Sequence, residues 1–318
     1  MKPLRLLTVC GAVLAAIPPW VAPGKPLPRA RKEAAATADG CVWKVTGPAG
    51  AAYLAGSVHL LREKDHPLPE TYDLAYADCA EVVFEVDMAE MTGPVGIAKM
   101  NRLGTFAKGQ RLKDYLSEKT YARLLDYCSS RGLPVARMDR LRPGTMFLTI
   151  SAIEATRLKA DAELGLETVL YRRSVVDGKP SRGLETIEYQ LGRFDELTGA
   201  ELDSLIFETL DRIDELAETI DRILETWRRG DVEALDRLLN EQMGEQDRIR
   251  ELLLLERNRN WVPEIEKAIA GKKGHALFVV GAAHLVGKDS VIDLLKKKGY
   301  RIERVLSPAG GAVGRKAA

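Results

Sequence analysis

Three hydrophobic rhythms divide the chain. Near its start, short apolar runs at 42–45 and 52–56 flank the turn-forming Gly47-Pro48-Ala49-Gly50, a pattern that predicts a hairpin or paired strands. A run at 81–86 predicts a buried strand after a helix from about Glu70, and 180–184 predicts a short strand. In the middle the spacing changes to threes and fours. Leu202, Leu205, Ile206, Leu210, Ile213, Leu216, Ile220, Ile223, Leu224 and Trp227 predict one long amphipathic helix, and a second such pattern runs from Leu235 through Leu239, Met243 and Ile249 to Leu253. Their charged residues, among them Asp211-Arg212 and Asp221-Arg222, read as solvated faces with i,i+4 pairs. The third rhythm returns to strands at 276–280 and 301–306, flanking a helix over 290–298. Strands at both ends must share a sheet, so the expected fold is α/β (α+β): a central mixed β-sheet built from N- and C-terminal strands, with a large helical insertion.

The first 40 residues do not join this pattern. Lys2 and Arg5 precede the apolar stretch 6–16, and prolines at 18, 19 and 23 follow. This is the layout of a secretory signal over 1–23, and the apolar run is too short to span a bilayer. Export to a periplasm or the cell exterior is the expectation. Residues 24–40 read as a flexible linker, 41–307 as the folded domain and 308–318 as a disordered tail. Beyond the leader, Cys41, Cys79 and Cys128 make an odd count without metal-type spacing. They allow at most one disulfide, and buried free thiols are the simpler reading. A net charge of +1 on 47 basic and 46 acidic residues gives no electrostatic reason to expect nucleic acid or an anionic membrane surface as partner.

The candidate chemistry lies in two Gly-x-x-His tetrapeptides. Gly56-Ser57-Val58-His59 follows one strand-like run, and Gly281-Ala282-Ala283-His284 follows another, in a chain with only four histidines. A glycine there lets the backbone turn with positive φ, and two such turns on adjacent strands bring both imidazoles to one place. Further motifs occur in order: Cys41-Val42-Trp43-Lys44-Val45, Val82-Val83-Phe84-Glu85-Val86-Asp87, Gly165-Leu166-Glu167, Gly183-Leu184-Glu185-Thr186 with Gln190, and Glu256-Arg257-Asn258. Over roughly 41–306 this ordered set resembles the TraB/GumN family, which includes the Tiki metalloproteases and shares a core with erythromycin-esterase-like and ChaN-like proteins.

The resemblance implies a metal-dependent hydrolase, with peptidase activity by analogy to the Tiki proteins. His59, Glu85 and His284 are suitable ligands for a divalent ion (Mn, Co, Zn or Fe), with a position left for water. Glu85 lies in an apolar strand, where an unpaired carboxylate is costly and calls for a cation or hydrogen-bond donors. Each residue keeps a plainer reading: a hydrogen-bonded core histidine for either imidazole, a solvent or arginine contact for Glu85. The family segment places a glutamate at Glu185, to orient a ligand or act as general base, against a helix N-terminal acid as the plainer role. Arg257 and Asn258, expected to end a helix, correspond to a site pair able to hold a carboxylate or oxyanion, against an ordinary surface salt bridge. Glu167 stands where relatives often carry Asp, and no direct role is assigned to it. His66 and His275 read as surface or loop residues. His-Glu-x-x-His and Gly-x-Ser-x-Gly are absent, and the run from Gly281 to Ser290 departs from phosphate-loop spacing. The expected partner is a peptide or small-molecule substrate. The alternative is a non-catalytic regulatory protein that holds a peptide, haem or metal in the same cleft.

Overall fold

The computed structural model describes residues 39–243, 247–271 and 274–308. The expected leader over 1–23, the linker as far as residue 38 and the tail beyond Pro308 lie outside them. Six strands form one mixed sheet: β1 (Val42–Thr46), β2 (Ala51–Ser57), β3 (Cys79–Val86), β4 (Ser181–Glu185), β5 (His275–Gly281) and β6 (Arg301–Arg304). Their spatial order is β4-β3-β5-β2-β1-β6. The hairpin across Gly47–Gly50 is present, with β1 antiparallel to β2 and Gly47 N–H bonded to Gly50 C=O at 2.9 Å. β2, β5, β3 and β4 run parallel to one another, while β6 pairs antiparallel with β1.

Every residue of β2 is buried, as are the six of β5 after His275. Strands buried on both faces need no polar alternation, which explains the continuous apolar runs in the sequence. The insertion of β5 between β2 and β3 has a geometric consequence: four parallel strands end at the same edge of the sheet. In open α/β sheets that carboxyl edge is where ligands bind.

The helical part holds a second hydrophobic core. Phe147, Phe194, Leu205, Ile206, Leu252 and Leu253 belong to it, whereas Ile223, Leu224, Trp227, Leu235 and Leu239 pack into the core of the sheet. This division breaks the helix expected from Leu202 to Trp227. It is two helices, Gly199–Asp211 and Leu216–Arg229, joined by a 3₁₀ turn at Ile213–Glu215. One straight helix cannot turn its apolar stripe toward two cores, so the chain bends between them. The second pattern falls on helix Val232–Met243 and on a helix from Asp247 that passes through a π-turn at Glu251–Leu255 into Glu256–Ala270.

Cys41, Cys79 and Cys128 are buried and unbridged. Burial pushes the Cys41 and Cys79 thiols up to about 12 and Cys128 to about 11, so all three are inert at neutral pH. Among the described residues no helix is long and apolar enough to cross a membrane.

Candidate active site at the carboxyl edge of the sheet

Each Gly-x-x-His segment leaves the end of one parallel strand. His59 lies two residues beyond β2, and His284 closes the 3₁₀ turn Ala282–His284 that follows β5. In the paired strands Gly56 sits opposite Val280, and Ser57 opposite Gly281. The two glycines do not serve the backbone role expected of them, since neither adopts a positive φ. They provide space. A Cβ on Gly56 would meet Cys41 Cβ at 3.0 Å and the Ala282 Cα at 3.2 Å. A Cβ on Gly281 would lie 3.3 Å from Glu85 Oε1, 3.5 Å from His284 Cδ2 and 3.6 Å from His59 Nε2. The three sequence-nominated ligands therefore surround one point beside Gly281.

The strand end of β2 is anchored from behind. Gly56 C=O accepts from Trp227 Nε1 at 2.7 Å and from Tyr72 Oη at 2.8 Å, and Tyr72 Oη accepts in turn from Cys41 N–H. Gly165 explains another motif. A Cβ there would stand 2.1 Å from the carbonyl oxygen of His59, so only glycine lets the segment before the Leu166–Val176 helix pack on the His59 backbone. We expect Gly165→Ala to cost about 1–3 kcal/mol through this overlap. It should also displace His59, which thermal denaturation and the NMR shift of the His59 ring would report together.

Each imidazole has a polar neighbour at Nδ1. His284 is fully buried and donates from Nδ1 to Asn258 Oδ1 at 2.7 Å; the Asn258 amide is itself fixed by donation from Nδ2 to Asp289 C=O at 3.0 Å. Nε2 of His284 is then the lone-pair nitrogen, facing Arg257 Nη1 at 3.3 Å. Burial and the adjacent guanidinium push His284 down to about 3, so it is neutral. His59 Nδ1 lies 2.6 Å from Glu167 Oε1, a close charge contact not aligned as a hydrogen bond. Burial disfavours the imidazolium of His59, but the Glu167 carboxylate outweighs it and the net shift is upward. Glu167, passed over in the sequence reading, is thus part of the site. It also accepts from Ser57 Oγ, and its Oε2 is buried without a hydrogen-bond partner. Its sequence context did not signal this contact; the packing of the Leu166–Val176 helix against β3 brings its side chain to His59.

Arg257 is the hub of the remaining charges. It is 1% exposed and lies just past the π-turn, near the start of the Glu256–Ala270 helix rather than at a helix end as expected. Its Nη2 donates to Glu85 Oε2 at 2.6 Å and to Glu185 Oε2 at 2.8 Å, and Nη1 donates to Leu253 C=O. The cation that makes Glu85 tolerable on its apolar strand is therefore this guanidinium. Gln190 Nε2 donates to Glu85 Oε2 at 3.0 Å and Gly281 N–H to Oε1 at 2.6 Å. Burial opposes ionisation, but Arg257 above all, with the Gly281 N–H, holds the Glu85 carboxyl down to about 2. Glu185 closes β4 with both oxygens occupied: Oε1 accepts from Trp261 Nε1 at 2.8 Å, and both accept from Arg257. Burial raises its pKa in spite of these partners. His66 and His275 stand apart from the site, bonded to Leu164 C=O and facing Asp78 respectively.

Among the described residues no three His, Cys, Asp or Glu side chains are drawn together as a ready-made metal cluster. The donor chemistry nevertheless fits a cation. An acceptor holds Nδ1 of His284 and a carboxylate stands beside Nδ1 of His59, the kind of partner that orients metal-binding histidines, and Glu85 Oε1 faces the same point.

The chain is 26% identical over 195 residues to "Metalloprotease TIKI homolog" of Amphimedon queenslandica, covering 54% of this chain and 38% of that protein. It is 22% identical to "Metalloprotease TIKI2" of Danio rerio (79% of this chain, 58% of the relative) and 22% identical to "Metalloprotease TIKI1" of Homo sapiens (81% and 60%). It thus spans less than two thirds of the length of each of these relatives. No solved structure gives a significant match. Residues 41–304 match the TraB/PrgY/gumN family, with both Gly-x-x-His turns, Glu85, Glu185 and Arg257 inside the matched span, and the chain belongs to that family.

Proposed function

We propose that this protein is an exported metal-dependent hydrolase acting on peptides, with His59, Glu85 and His284 as the residues that would hold a divalent ion (Mn, Co, Zn or Fe). The observation that carries the proposal is the convergence of Glu85 Oε1, His59 Nε2 and the His284 ring around the point where Gly281 lacks a side chain. When bound, such an ion supplies Lewis acidity toward water and a substrate carbonyl. Asn258 keeps the proton of the His284 imidazole on Nδ1 and leaves the lone pair on its Nε2, while the Glu167 carboxylate stands against Nδ1 of His59. Arg257 places a buried positive charge beside that point, where it favours negative charge developing on a carbonyl oxygen. Of the two roles considered for Glu185, orientation suits its surroundings better than general base, because Arg257 and Trp261 occupy both of its oxygens. The names of the Tiki relatives support the metalloprotease reading, and the charged and apolar start of the chain supports export. Intact-mass analysis of protein from a secreting host should find the leader removed near residues 18–23.

One substitution tests the site while leaving every charge of its network in place. Gly281 has φ −49°, which any residue adopts, and a methyl group there meets its neighbours at 3.3 Å or more. We expect Gly281→Ala to change stability by less than about 1 kcal/mol. It should nevertheless lower the bound-metal stoichiometry and peptide turnover together, because the methyl fills the space between the three ligands. Unchanged metal content in this variant would remove the ion from that position. The non-catalytic alternative, a regulatory protein holding a peptide, haem or metal, draws support from Arg257, which already neutralises Glu85. Elemental analysis of protein purified without chelators, followed by a peptide-turnover assay, separates the two readings.

A further inference from the structure

A cavity opens against His59, with Glu85 absent from its lining. Helices Pro143–Arg157, Leu216–Arg229 and Val232–Met243 of the insertion supply its walls through Ala155, Ile220 and Leu239, and the two Gly-x-x-His turns supply Val58 and Ala283 beside His59 itself. Its volume is about 60 Å³. Two hydroxyls border it, and both have committed their protons: Ser57 Oγ donates to Glu167, and Ser151 Oγ to Phe147 C=O at 3.0 Å. A polar occupant would surrender its water contacts without gaining a hydroxyl donor, a loss of a kind that cavities use to exclude polar groups. The size narrows the choice further. An apolar cavity of roughly 150 Å³ accommodates benzene, so this smaller one suits a branched alkyl or thioether group rather than an aromatic ring.

We infer that this cavity is the specificity subsite of the enzyme, taking an aliphatic side chain (Leu, Val, Ile or Met) of a peptide next to the bond that is cut. The inference rests on the hydrolase reading above, because His59 forms both the wall of the cavity and one side of the metal-binding point. It also assigns work to the helical insertion, whose residues line the cavity although the proposed ligands belong to the sheet edge. Ala155 and Ile220 become specificity-determining residues. Ala155→Leu places an isobutyl group in the cavity, and Ile220→Ala enlarges it.

Two measurements on the metal-loaded full chain test this. In the first, pools of peptides varied at single positions are scored for cleavage. Wild type should prefer Leu, Val, Ile or Met over Phe, Lys and Asp by at least ~10-fold at one position beside the cut, the scale of discrimination that hydrophobic pockets reach. Ala155→Leu should lose most of the rate on Leu peptides while retaining it on Ala peptides, and Ile220→Ala should gain Phe peptides. Cleavage without preference at either flanking position overturns the subsite and leaves the hydrolase reading intact. In the second, binding of N-acetyl-leucinamide and N-acetyl-glycinamide is compared by calorimetry, independently of turnover. The leucine compound should bind more tightly, and Ala155→Leu should remove that advantage. If no peptide is cut yet the leucine preference and its loss in Ala155→Leu are seen, the hydrolase reading fails and the aliphatic site stands. Equal binding of the two amides to wild type overturns the site whatever the cleavage result.

Discussion

Arg257→Met is expected to lower stability by about 3–5 kcal/mol, the cost of stripping a buried ion-pair network of its cation, with Tm falling by on the order of 10 °C. Two carboxylates depend on this guanidinium, and Glu85 and Glu185 are themselves 6% and 5% exposed at their side chains. Without it, burial would drive both toward the neutral acid, Glu85 having furthest to rise from about 2. Linkage sets the sign. A carboxyl whose folded pKa is depressed stabilises the fold above its unfolded pKa and loses that contribution as pH falls through the folded value. The Glu85 contribution should therefore persist down to about pH 4 and fade toward pH 2 in wild type. It should be missing throughout in the variant. Adding Glu185→Gln to Arg257→Met should recover part of the loss, since one fewer charge is then stranded. Thermal melts of the three proteins decide the matter, and a single variant that melts within 2 °C of wild type would sink the account.

The second large effect concerns metal. His284→Ala and Glu85→Gln should each weaken divalent-ion binding at least ~10-fold, because no neighbouring donor can take over from either side chain. His284→Ala also removes the ring that packs on Trp261 at a centroid distance of 4.3 Å, so its folding should be checked by circular dichroism alongside titration calorimetry. Glu185→Gln provides the contrast. It leaves the proposed ligands untouched but loosens Arg257, so metal should stay bound while turnover falls by roughly 10²-fold, the scale of losing one stabilising donor. Wild-type metal affinity in both ligand variants would end the metal assignment and favour the binding-protein reading.

The sequence by itself determined the strands and their companions. The runs at 52–56, 82–86 and 276–280 are buried on both faces, and each, like the run at 42–45, became a strand of the sheet. The Gly-x-x-His repeat also placed His59 and His284 at strand ends, because the motif and the end of the apolar run coincide. Tertiary structure decided whatever depends on residues far apart in sequence. A period of 3.6 shows where a helix has an apolar face but not which core it meets, so the break at Ile213–Glu215 was not legible. An apolar strand carrying Glu85 calls for a cation, but a composition cannot distinguish a metal from an arginine 172 residues away. Glu167 was hidden for a related reason: its carboxylate acquires meaning only when the Leu166–Val176 helix brings it to His59 Nδ1. Gly281 looked like a turn and proved to be a space, because a missing Cβ matters only once Glu85 and the two imidazoles have been folded around it.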